Sequence, residues 1–224
     1  MNQINYQKEL EKLLNRLGQE REKGAQAPTL FLHSCCAPCS SYVLEYLCGW
    51  FRITVFYYNP NISEDGEYRR RVVEQKRLIE IYNREGRGYP ILIEEGDYEP
   101  GVFFEAAAGL EDCPEGGERC FKCYDLRLRE TAKWAKAGRY DFFGTTLTIS
   151  PLKNAQKLNK IGDALAEEYK VAWLPSDFKK KDGYKRSVEL SAEYGLYRQD
   201  YCGCAYSKAE RHKNVGRAGR HSHG

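Results

Sequence analysis

Two adjacent cysteines at a strand-to-helix turn place the strongest constraint on how this chain folds. The stretch His33–Ser40, HSCCAPCS, follows a short apolar run, Thr29–Leu32, which predicts a buried strand. The residues after it, Ser41–Leu47, predict the first turns of a helix. Ligands of open α/β sheets bind at the carboxyl ends of strands, and a helix N-terminus stabilises thiolates. The turn therefore predicts a ligand site built on cysteine.

The cysteine content indicates metal or redox chemistry rather than structural disulfides. The chain has 224 residues, nine cysteines and a formal net charge of +3. Its length suits one α/β domain, and its charge is too small to indicate nucleic-acid binding without local clustering. It contains no apolar run long enough to span a bilayer, and its first residues do not resemble a signal peptide. We therefore expect a cytoplasmic protein, because thiols in that reducing compartment bind metals or undergo redox reactions.

Apolar runs alternate with helical patterns along the rest of the chain. Four further strands are predicted, at Ile53–Tyr58, Tyr89–Glu94, Tyr140–Thr146 and Val171–Pro175. This alternation predicts an α/β fold with a mostly parallel sheet and helices on both of its faces. Such a sheet allows cysteines that follow different strands to meet at one rim.

Composition divides the chain into three segments. Residues 1–28 hold an amphipathic helix, from about Tyr6 to Arg21, and a linker, and we expect them to form an accessory element. Residues 29–207 are predicted to form a single α/β metalloenzyme domain with a cysteine-bearing C-terminal extension. Residues 208–224 are basic and lack apolar periodicity, so that we expect a flexible tail, in which His221 and His223 are solvated.

Two more cysteine groups follow the first. Cys120 and Cys123 are three residues apart, so that both thiols face the same side of a helical turn. Cys202 and Cys204, the C-terminal pair, flank Gly203. Glycine lets the backbone fold tightly enough to close a short disulfide ring, and strain makes such a ring easy to reduce.

Three chemistries compete for these cysteines. A structural zinc site fits adjacent Cys35 and Cys36 poorly, because zinc sites usually space their thiolates by two to four residues. An iron–sulfur cluster held by Cys35, Cys36, Cys120 and Cys123 accepts more varied spacing, since each cysteine reaches its own iron. Thiol–disulfide exchange suits the C-terminal pair as a redox-active pair. A cluster and a dithiol together indicate electron transfer onto a substrate.

The cysteine motifs together resemble one protein family. HSCCAPCS, ERCFKCY and YCGC, in this order and at this spacing, resemble the epoxyqueuosine reductases of the QueH family, as do YYNPNI and FGTTLTISPLKN. The resemblance runs from about Leu30 to Tyr206. It implies a fold like the nucleotide-binding (HUP-like) α/β domains of tRNA-thiolating enzymes. It also implies an oxidoreductase that reduces the epoxide of epoxyqueuosine in a tRNA anticodon loop to queuosine, with two electrons, two protons and loss of water.

The resemblance further implies cofactors and partners. They are a [4Fe–4S] cluster and, as in some members, a neighbouring iron held by cysteines and an aspartate. Cys39 stands where some members carry that aspartate, which makes Cys39 a candidate ligand of a second iron. Ordinary side chains do not supply electrons, so the reaction also requires an external electron donor. The substrate is tRNA carrying epoxyqueuosine, and no membrane is involved.

Basic and aromatic residues are candidates for contacts with the tRNA, because cations bind phosphates and aromatic rings stack on unpaired bases. These candidates are Arg69, Arg70, Arg71, Lys179, Lys180, Lys181, Arg186, Tyr57, Tyr58 and Tyr184. Packing on the surface or in the core is at least as common a role for each. An acid must also protonate the leaving oxygen, and the candidates are His33, Asp97 and Asp125.

Two other functions stay open at the level of the residues. One is a tRNA sulfur-transfer or adenylating enzyme of the same fold class, which would carry a glycine-rich SGGxDS-type turn after its first strand. This chain has HSCCAPCS at that place. The other is a zinc-dependent RNA-binding module, which would be colourless where an iron–sulfur protein is brown.

Overall fold

A parallel sheet forms the centre of the protein in a computed structural model, which describes residues 3–218. The strands are β1 (Thr29–His33), β2 (Arg52–Tyr57), β3 (Leu92–Glu95), β4 (Phe142–Thr145) and β5 (Ala172–Trp173). They pair in the order β3-β2-β1-β4-β5, and every pairing is parallel. The predicted α/β fold with a parallel sheet is therefore confirmed, although β3, β4 and β5 are shorter than the sequence predicts.

Eight α-helices lie within the described residues. They are α1 (Tyr6–Glu22), α2 (Ala37–Leu47), α3 (Asp65–Glu85), α4 (Pro100–Ala107), α5 (Glu118–Ala137), α6 (Ala155–Tyr169), α7 (Gly183–Glu193) and α8 (Ala205–Ala218). A 3₁₀ turn over Thr146–Ile149 follows β4. Of the helices in residues 3–218, none has the length and apolarity that a membrane crossing requires.

Alternate residues of the central strand are buried in different layers. Leu30 and Leu32 of β1 pack with α1, α2 and α3, whereas Phe31 between them packs with α5 and α6. This alternation follows from the period of two residues in a strand whose two faces are both covered. The leucines of α1 belong to the first layer, which shows that this helix packs on the same core as the sheet.

The strand order creates a topological switch point between β1 and β4. The chain moves outward from β1 to β2 and β3 on one side, and then continues with β4 and β5 on the other. In sheets of this order, a crevice opens outside the carboxyl ends of the two strands at the switch point, and ligands bind there. The order is compatible with the expected nucleotide-binding type of domain. It places the HSCCAPCS motif and the 3₁₀ turn beside the same crevice.

Two helices have no counterpart among the sequence predictions. The first is α4, and the second, α8, extends over most of the segment expected to be a flexible tail. Contacts with other elements hold α8, since Glu210 pairs with Arg119 at 3.1 Å and Lys208 pairs with Glu64. Such contacts leave no apolar period in the sequence. The division into residues 1–28, 29–207 and 208–224 stays a prediction, and His221 and His223 lie outside the described residues.

Candidate active site

The HSCCAPCS motif forms the turn that joins β1 to α2. The backbone N–H of Ser34 donates to the carbonyl of Phe56 in the neighbouring strand at 2.9 Å. The hydroxyl of Ser34 donates to Oε1 of Gln75 at 2.7 Å and lies 2.6 Å from the hydroxyl of Ser40. Cys36 is the N-cap residue of α2, in an extended conformation. These buried bonds fix the turn, so that its cysteines have defined positions at the rim of the sheet.

Three thiols of this turn converge. The Sγ atoms of Cys35, Cys36 and Cys39 all lie within 4.8 Å of one another, and those of Cys35 and Cys36 are 3.8 Å apart. Hydrogen bonds from Cys36 and Cys39 lower the pKa of Cys35 well below its usual value. The same bonds raise the pKa of Cys36 to about 12 and that of Cys39 well above its usual value. These shifts favour ionisation of Cys35 over that of Cys36 and Cys39, and the group has the donor atoms and spacing of a metal site.

The remaining candidate cysteines form a second group beside the first. Cys120 and Cys123 lie in the first turns of α5, and burial raises the pKa of both. The Sγ atoms of Cys202 and Cys204 are 3.4 Å apart. The hydrogen bond with Cys204 lowers the pKa of Cys202 well below its usual value. Phe103 of α4 packs against Cys123 and Cys204, so the unpredicted helix α4 closes this group from one side.

The two cysteine groups border two cavities with a common wall. The larger cavity has a volume of about 360 Å³ and is bordered by Cys35, Cys36 and Cys39, together with Tyr184. The smaller cavity, of about 20 Å³, is bordered by Cys120, Cys123 and Cys204. Both cavities are lined by Glu115, Arg127, Lys153 and Cys202. Only the larger cavity has room for a nucleobase, and the common wall brings both thiol groups close to it.

The loop of the C-terminal pair is docked onto the start of α3. The carbonyl of Cys202 accepts hydrogen bonds from Arg71 at 3.2 Å and from Asn61 at 3.4 Å. The carbonyl of Gly203 accepts one from the backbone N–H of Ser63 at 3.2 Å. Gly203 has φ of +110°, and a Cβ there would lie 2.7 Å from Cγ1 of Ile62. Glycine is therefore required by both its backbone conformation and the close approach.

Two buried arginines place positive charge beside the cysteines. Arg71 pairs with Glu67 at 2.7 Å, and only 2% of its side chain is exposed. Burial lowers the pKa of Arg71, but the nearby Cys36 and Glu67 outweigh this effect and raise it. Arg127 donates to Oδ1 of Asn59 at 3.2 Å and to the carbonyl of Cys123 at 3.3 Å. Buried anions need such partners, because charge is costly to remove from water.

The three acids expected from the sequence lie away from the cavities. His33 is fully buried and contacts the hydroxyl of Thr145 at 2.9 Å and the carbonyl of Tyr58 at 3.1 Å. Burial lowers the pKa of His33 to about 3, so the ring is neutral. Asp97 is exposed, and Asp125 pairs with Arg129 at 3.4 Å. These positions favour structural roles for all three residues.

The structure places the predicted aromatic contacts at different depths. Tyr57 and Tyr58 are buried in the core, which leaves no ring face for a base. Tyr184 is 41% exposed and lines the larger cavity. The apolar run of β2 did not show whether its tyrosines would be buried or exposed. Both faces of this strand are covered, so that side chains on either face can be buried.

Most of the predicted basic contacts are already engaged with the protein. Arg69 pairs with Asp65 at 2.7 Å, while Lys179 and Lys181 pair with Asp177 and Glu11, respectively. Arg186 pairs with Glu45 at 2.8 Å, and Arg70 lies over the ring of Tyr197 at 3.5 Å. Lys180 is exposed, with no ion pair to any residue that the structure describes.

Three residues of the common wall escaped the sequence analysis. Glu115 lies in the loop before Cys120, Arg127 lies on the inner face of α5, and Lys153 follows the 3₁₀ turn. A signal existed only for Lys153, which stands just beyond the carboxyl end of a predicted strand, in FGTTLTISPLKN. Burial raises the pKa of Glu115, and the charge of Cys202 adds to the effect.

A parallel sheet with clustered thiols and buried cations at its switch point defines an α/β protein with a candidate metal site of cysteines. Comparison with known proteins identifies the family more closely. The model of the family described as "Epoxyqueuosine reductase QueH" matches residues 30–210. The chain belongs to the epoxyqueuosine reductase QueH family.

Individual relatives agree with this assignment. The chain is 43% identical over 206 residues to the epoxyqueuosine reductase QueH of Staphylococcus aureus. The aligned region covers 91% of this chain and 84% of the relative. It is 42% identical over 204 residues to that of Streptococcus pyogenes, covering 91% and 78%. It is 32% identical over 202 residues to that of Thermotoga maritima, covering 86% and 98%.

Proposed function

We propose that this protein is an epoxyqueuosine reductase, an oxidoreductase that converts epoxyqueuosine in a tRNA anticodon loop to queuosine. The family membership supports the activity. The observation that carries the assignment to this site is the convergence of Cys35, Cys36 and Cys39 within 4.8 Å at the switch point. Removing the epoxide oxygen consumes two electrons and two protons, and a thiol-rich rim suits the group that carries electrons.

A [4Fe–4S] cluster held by Cys35, Cys36, Cys120 and Cys123 is the cofactor that we propose. The donor set fits such a group, because all four ligands are thiols and lie partly or fully buried around the common wall. When bound, the cluster would supply electrons one at a time. Arg127 reaches the wall from α5 and would balance part of the negative charge of the ligands.

Cys39 is proposed as a ligand of a second iron. Its Sγ atom lies within 4.8 Å of those of Cys35 and Cys36, which supports a role next to the cluster rather than in the core of α2. A thiolate at this place would be a softer ligand than an aspartate.

The C-terminal pair is proposed as a redox-active pair that receives electrons from an external donor. The 3.4 Å separation of its sulfurs and the lowered pKa of Cys202 support this role, because a thiolate next to a thiol is poised for disulfide exchange. Oxidation of this thiolate and thiol would form the Cys202–Cys204 disulfide with release of two electrons and one proton. The external reductant would then reduce it.

The larger cavity is proposed to receive the modified base. Tyr184 borders this cavity and is exposed, so that its ring is available for stacking. Arg69, Arg70, Lys179, Lys180 and Lys181 are the proposed phosphate contacts, of which Lys180 is the best supported because it has no ion pair within the described residues. Phosphate contacts would orient the tRNA without reading its sequence.

The cytoplasm is the proposed compartment. All nine cysteines lie within the described residues, and none of them forms a disulfide there. Thiols this closely spaced keep their reduced form in a reducing environment, and tRNA is a substrate of the same compartment.

Two alternatives are disfavoured by the same observations. An adenylating enzyme of this fold would place a glycine-rich phosphate turn after β1, where this protein has clustered thiols. A zinc-dependent RNA-binding module would not require two thiols 3.4 Å apart outside its zinc site, and it does not account for the family membership.

Anaerobic iron and sulfide analysis, combined with an assay on tRNA carrying epoxyqueuosine, tests the proposal. We expect a brown protein with about five irons and about four sulfides per chain, four irons in the cluster and one at Cys39, that forms queuosine when a chemical reductant is supplied. A colourless zinc protein that binds the tRNA without reducing it would contradict the proposal and favour the RNA-binding module.

A further inference from the structure

Lys153 occupies a fixed position between two elements of the rim. Its backbone N–H donates to the carbonyl of Ser150 at 3.2 Å, which closes the turn after the 3₁₀ segment. The next residue, Asn154, caps α6 by accepting a hydrogen bond from the backbone N–H of Lys157. Because the backbone is held on both sides, the direction of the Lys153 side chain is set by the fold and not by a flexible loop.

The side chain of Lys153 lines both cavities and is uncommitted. Its ammonium group makes no hydrogen bond or ion pair to any residue that the structure describes, whereas the other cations of the larger cavity have protein partners. Arg71 pairs with Glu67, Arg127 bonds Asn59, Arg198 bonds Ser191 and Arg211 pairs with Asp200. An ammonium group without a partner, in a cavity large enough for a base, is available to a ligand.

Charged and titratable groups surround Lys153 from several elements. They are Cys35 and Cys39 of the HSCCAPCS motif, Cys120, Cys123, Tyr124 and Arg127 of α5, Cys202 of the C-terminal pair, and Glu115. The ammonium group of Lys153 therefore stands among the cysteines that border both cavities, where a ligand in the larger cavity would meet it.

We propose that the ammonium group of Lys153 hydrogen-bonds the epoxide oxygen of the substrate and donates a proton to it as a carbon–oxygen bond breaks. This role rests on the proposed function. In the complete reaction both carbon–oxygen bonds break, a carbon–carbon double bond forms, and the oxygen leaves as water. Two electrons come from the external reductant. One proton comes from Lys153, which recovers it from solvent water, and the second comes directly from solvent water.

The alternative donors at the same wall are less suited. The carboxyl group of Glu115 accepts a hydrogen bond from Ser207 at 3.4 Å, and its backbone N–H donates to Glu210 at 3.1 Å. Glu115 thus belongs to the contact between its loop and α8. Arg127 donates to the carbonyl of Cys123 and to Asn59, and a guanidinium group does not give up its proton in a protein.

Substitution of Lys153 in the iron-loaded protein tests this role. In single-turnover reactions with prereduced enzyme and tRNA carrying epoxyqueuosine, Lys153→Met should react about 100-fold or more slowly than the wild type. Its iron content and tRNA affinity should stay within about twofold of the wild type, because Lys153 is neither a ligand nor a phosphate contact. Lys153→Arg should also stay slow, since it keeps the charge but holds its proton.

Chemical rescue separates proton donation from a structural role. Ethylammonium added to Lys153→Ala should restore the rate in proportion to its concentration, because a small amine fits where the side chain was removed. Lys157→Ala is the matched control. It lies one turn further along, over the ring of Phe121 at 5.1 Å, and should react at the wild-type rate with or without the amine.

The outcomes distinguish this inference from the proposed function. If the wild-type protein forms no queuosine under these conditions, the proposed function is wrong. If the wild type is active and Lys153→Met or Lys153→Arg keeps a rate within about threefold of it, proton donation by Lys153 is wrong. If Lys153→Met lost iron in the same proportion as it lost rate, the inference would also be wrong, because the lysine would then act by holding the cofactor.

Discussion

At the scale of single residues, the site depends on groups that satisfy more than one requirement. Gly203 combines a positive φ with a backbone approach that any side chain would block. Arg71 anchors the carbonyl of Cys202 and at the same time balances Glu67 inside the protein. Residues of this kind are sensitive to substitution, because one change breaks two interactions at once.

Replacing Gly203 with alanine should displace the C-terminal pair. The new Cβ would lie 2.7 Å from Cγ1 of Ile62 and 3.3 Å from the guanidinium of Arg71, in a strained conformation. We expect the free energy of unfolding to fall by about 1–3 kcal/mol and turnover to be lost. Thermal unfolding and the tRNA assay measure these effects.

Gly195→Ala provides the control for backbone strain alone. Gly195 also has a positive φ, of +56°, but a Cβ there would meet no atom within 4 Å. We expect a loss of about 1 kcal/mol in stability with normal turnover. Equal activities of the two variants would show that the position of the cysteine loop does not matter for the reaction.

At the scale of elements, helix N-termini direct the thiols to the rim. Cys36 and Cys39 lie at the start of α2, and Cys120 and Cys123 lie in the first turns of α5. The positive end of each helix dipole stabilises thiolates and an anionic group between them. The alternation of parallel strands and helices brings these two N-termini to the same edge of the sheet.

Removing a thiol from the start of α5 should strip the protein of its iron. Cys120→Ala, prepared anaerobically, should lose most of its cluster iron and its turnover, because the proposed cluster would lack a ligand. Iron analysis and visible absorption provide the measurement.

Cys48→Ala is the matched variant of Cys120→Ala. Cys48 is buried beyond the end of α2, with its Sγ atom 3.8 Å from the carbonyl of Glu45, and it lines neither cavity. This variant should keep its colour and lose about 1 kcal/mol of stability through the small void that it leaves. Full iron and activity in Cys120→Ala would refute the proposed ligand set.

The cysteines of the C-terminal pair should be needed for turnover but not for holding the cluster. Replacing both Cys202 and Cys204 with serine should leave a brown protein of near-normal iron content that lacks sustained turnover, because the disulfide relay is gone. A pale, iron-poor protein would instead assign these cysteines as ligands. Normal multiple turnover in the double variant would exclude both roles.

At the scale of the whole molecule, the positive charge is nearly matched by negative charge. The formal net charge is only +3, and many basic residues are paired with acids. The free cations therefore matter more than the total for binding a polyanion. Lys180 and Lys185 flank the exposed Tyr184 and make no ion pair with the residues that the structure describes.

Binding of tRNA should weaken steeply with salt. Raising the salt concentration from about 50 to about 200 mM should reduce the affinity about tenfold or more if several phosphates are contacted. The variant with Lys180→Ala and Lys185→Ala should show a shallower slope, measured by filter binding.

Lys136→Ala is the control for the salt dependence. Lys136 lies in the last turn of α5, a helix of 20 residues that starts at the site and ends about 30 Å away. Its removal should leave the slope unchanged. If the wild type, the double variant and Lys136→Ala showed the same slope, Lys180 and Lys185 would be solvated residues that do not contact phosphates.

Local patterns were sufficient for most elements and for selecting the cysteines that border the two cavities. The apolar runs of β1 and β2 and the leucine spacing of α1 predicted their elements, because burial imposes a period on the sequence. The elements that escaped were α4 and α8. The latter is polar and is held by Arg119 and Glu64 from distant parts of the chain.

The sequence by itself determined the parallel α/β class, the three cysteine groups and the family, since each depends on residue types at fixed spacings. Only the tertiary structure decided which side chains meet at the rim. It joined Cys39 to Cys35 and Cys36, buried Tyr57, and placed Lys153 between the two cavities. The physical reason is that periodicity records whether a side chain is buried, whereas its neighbours depend on strand order and register, which involve residues far apart in the chain.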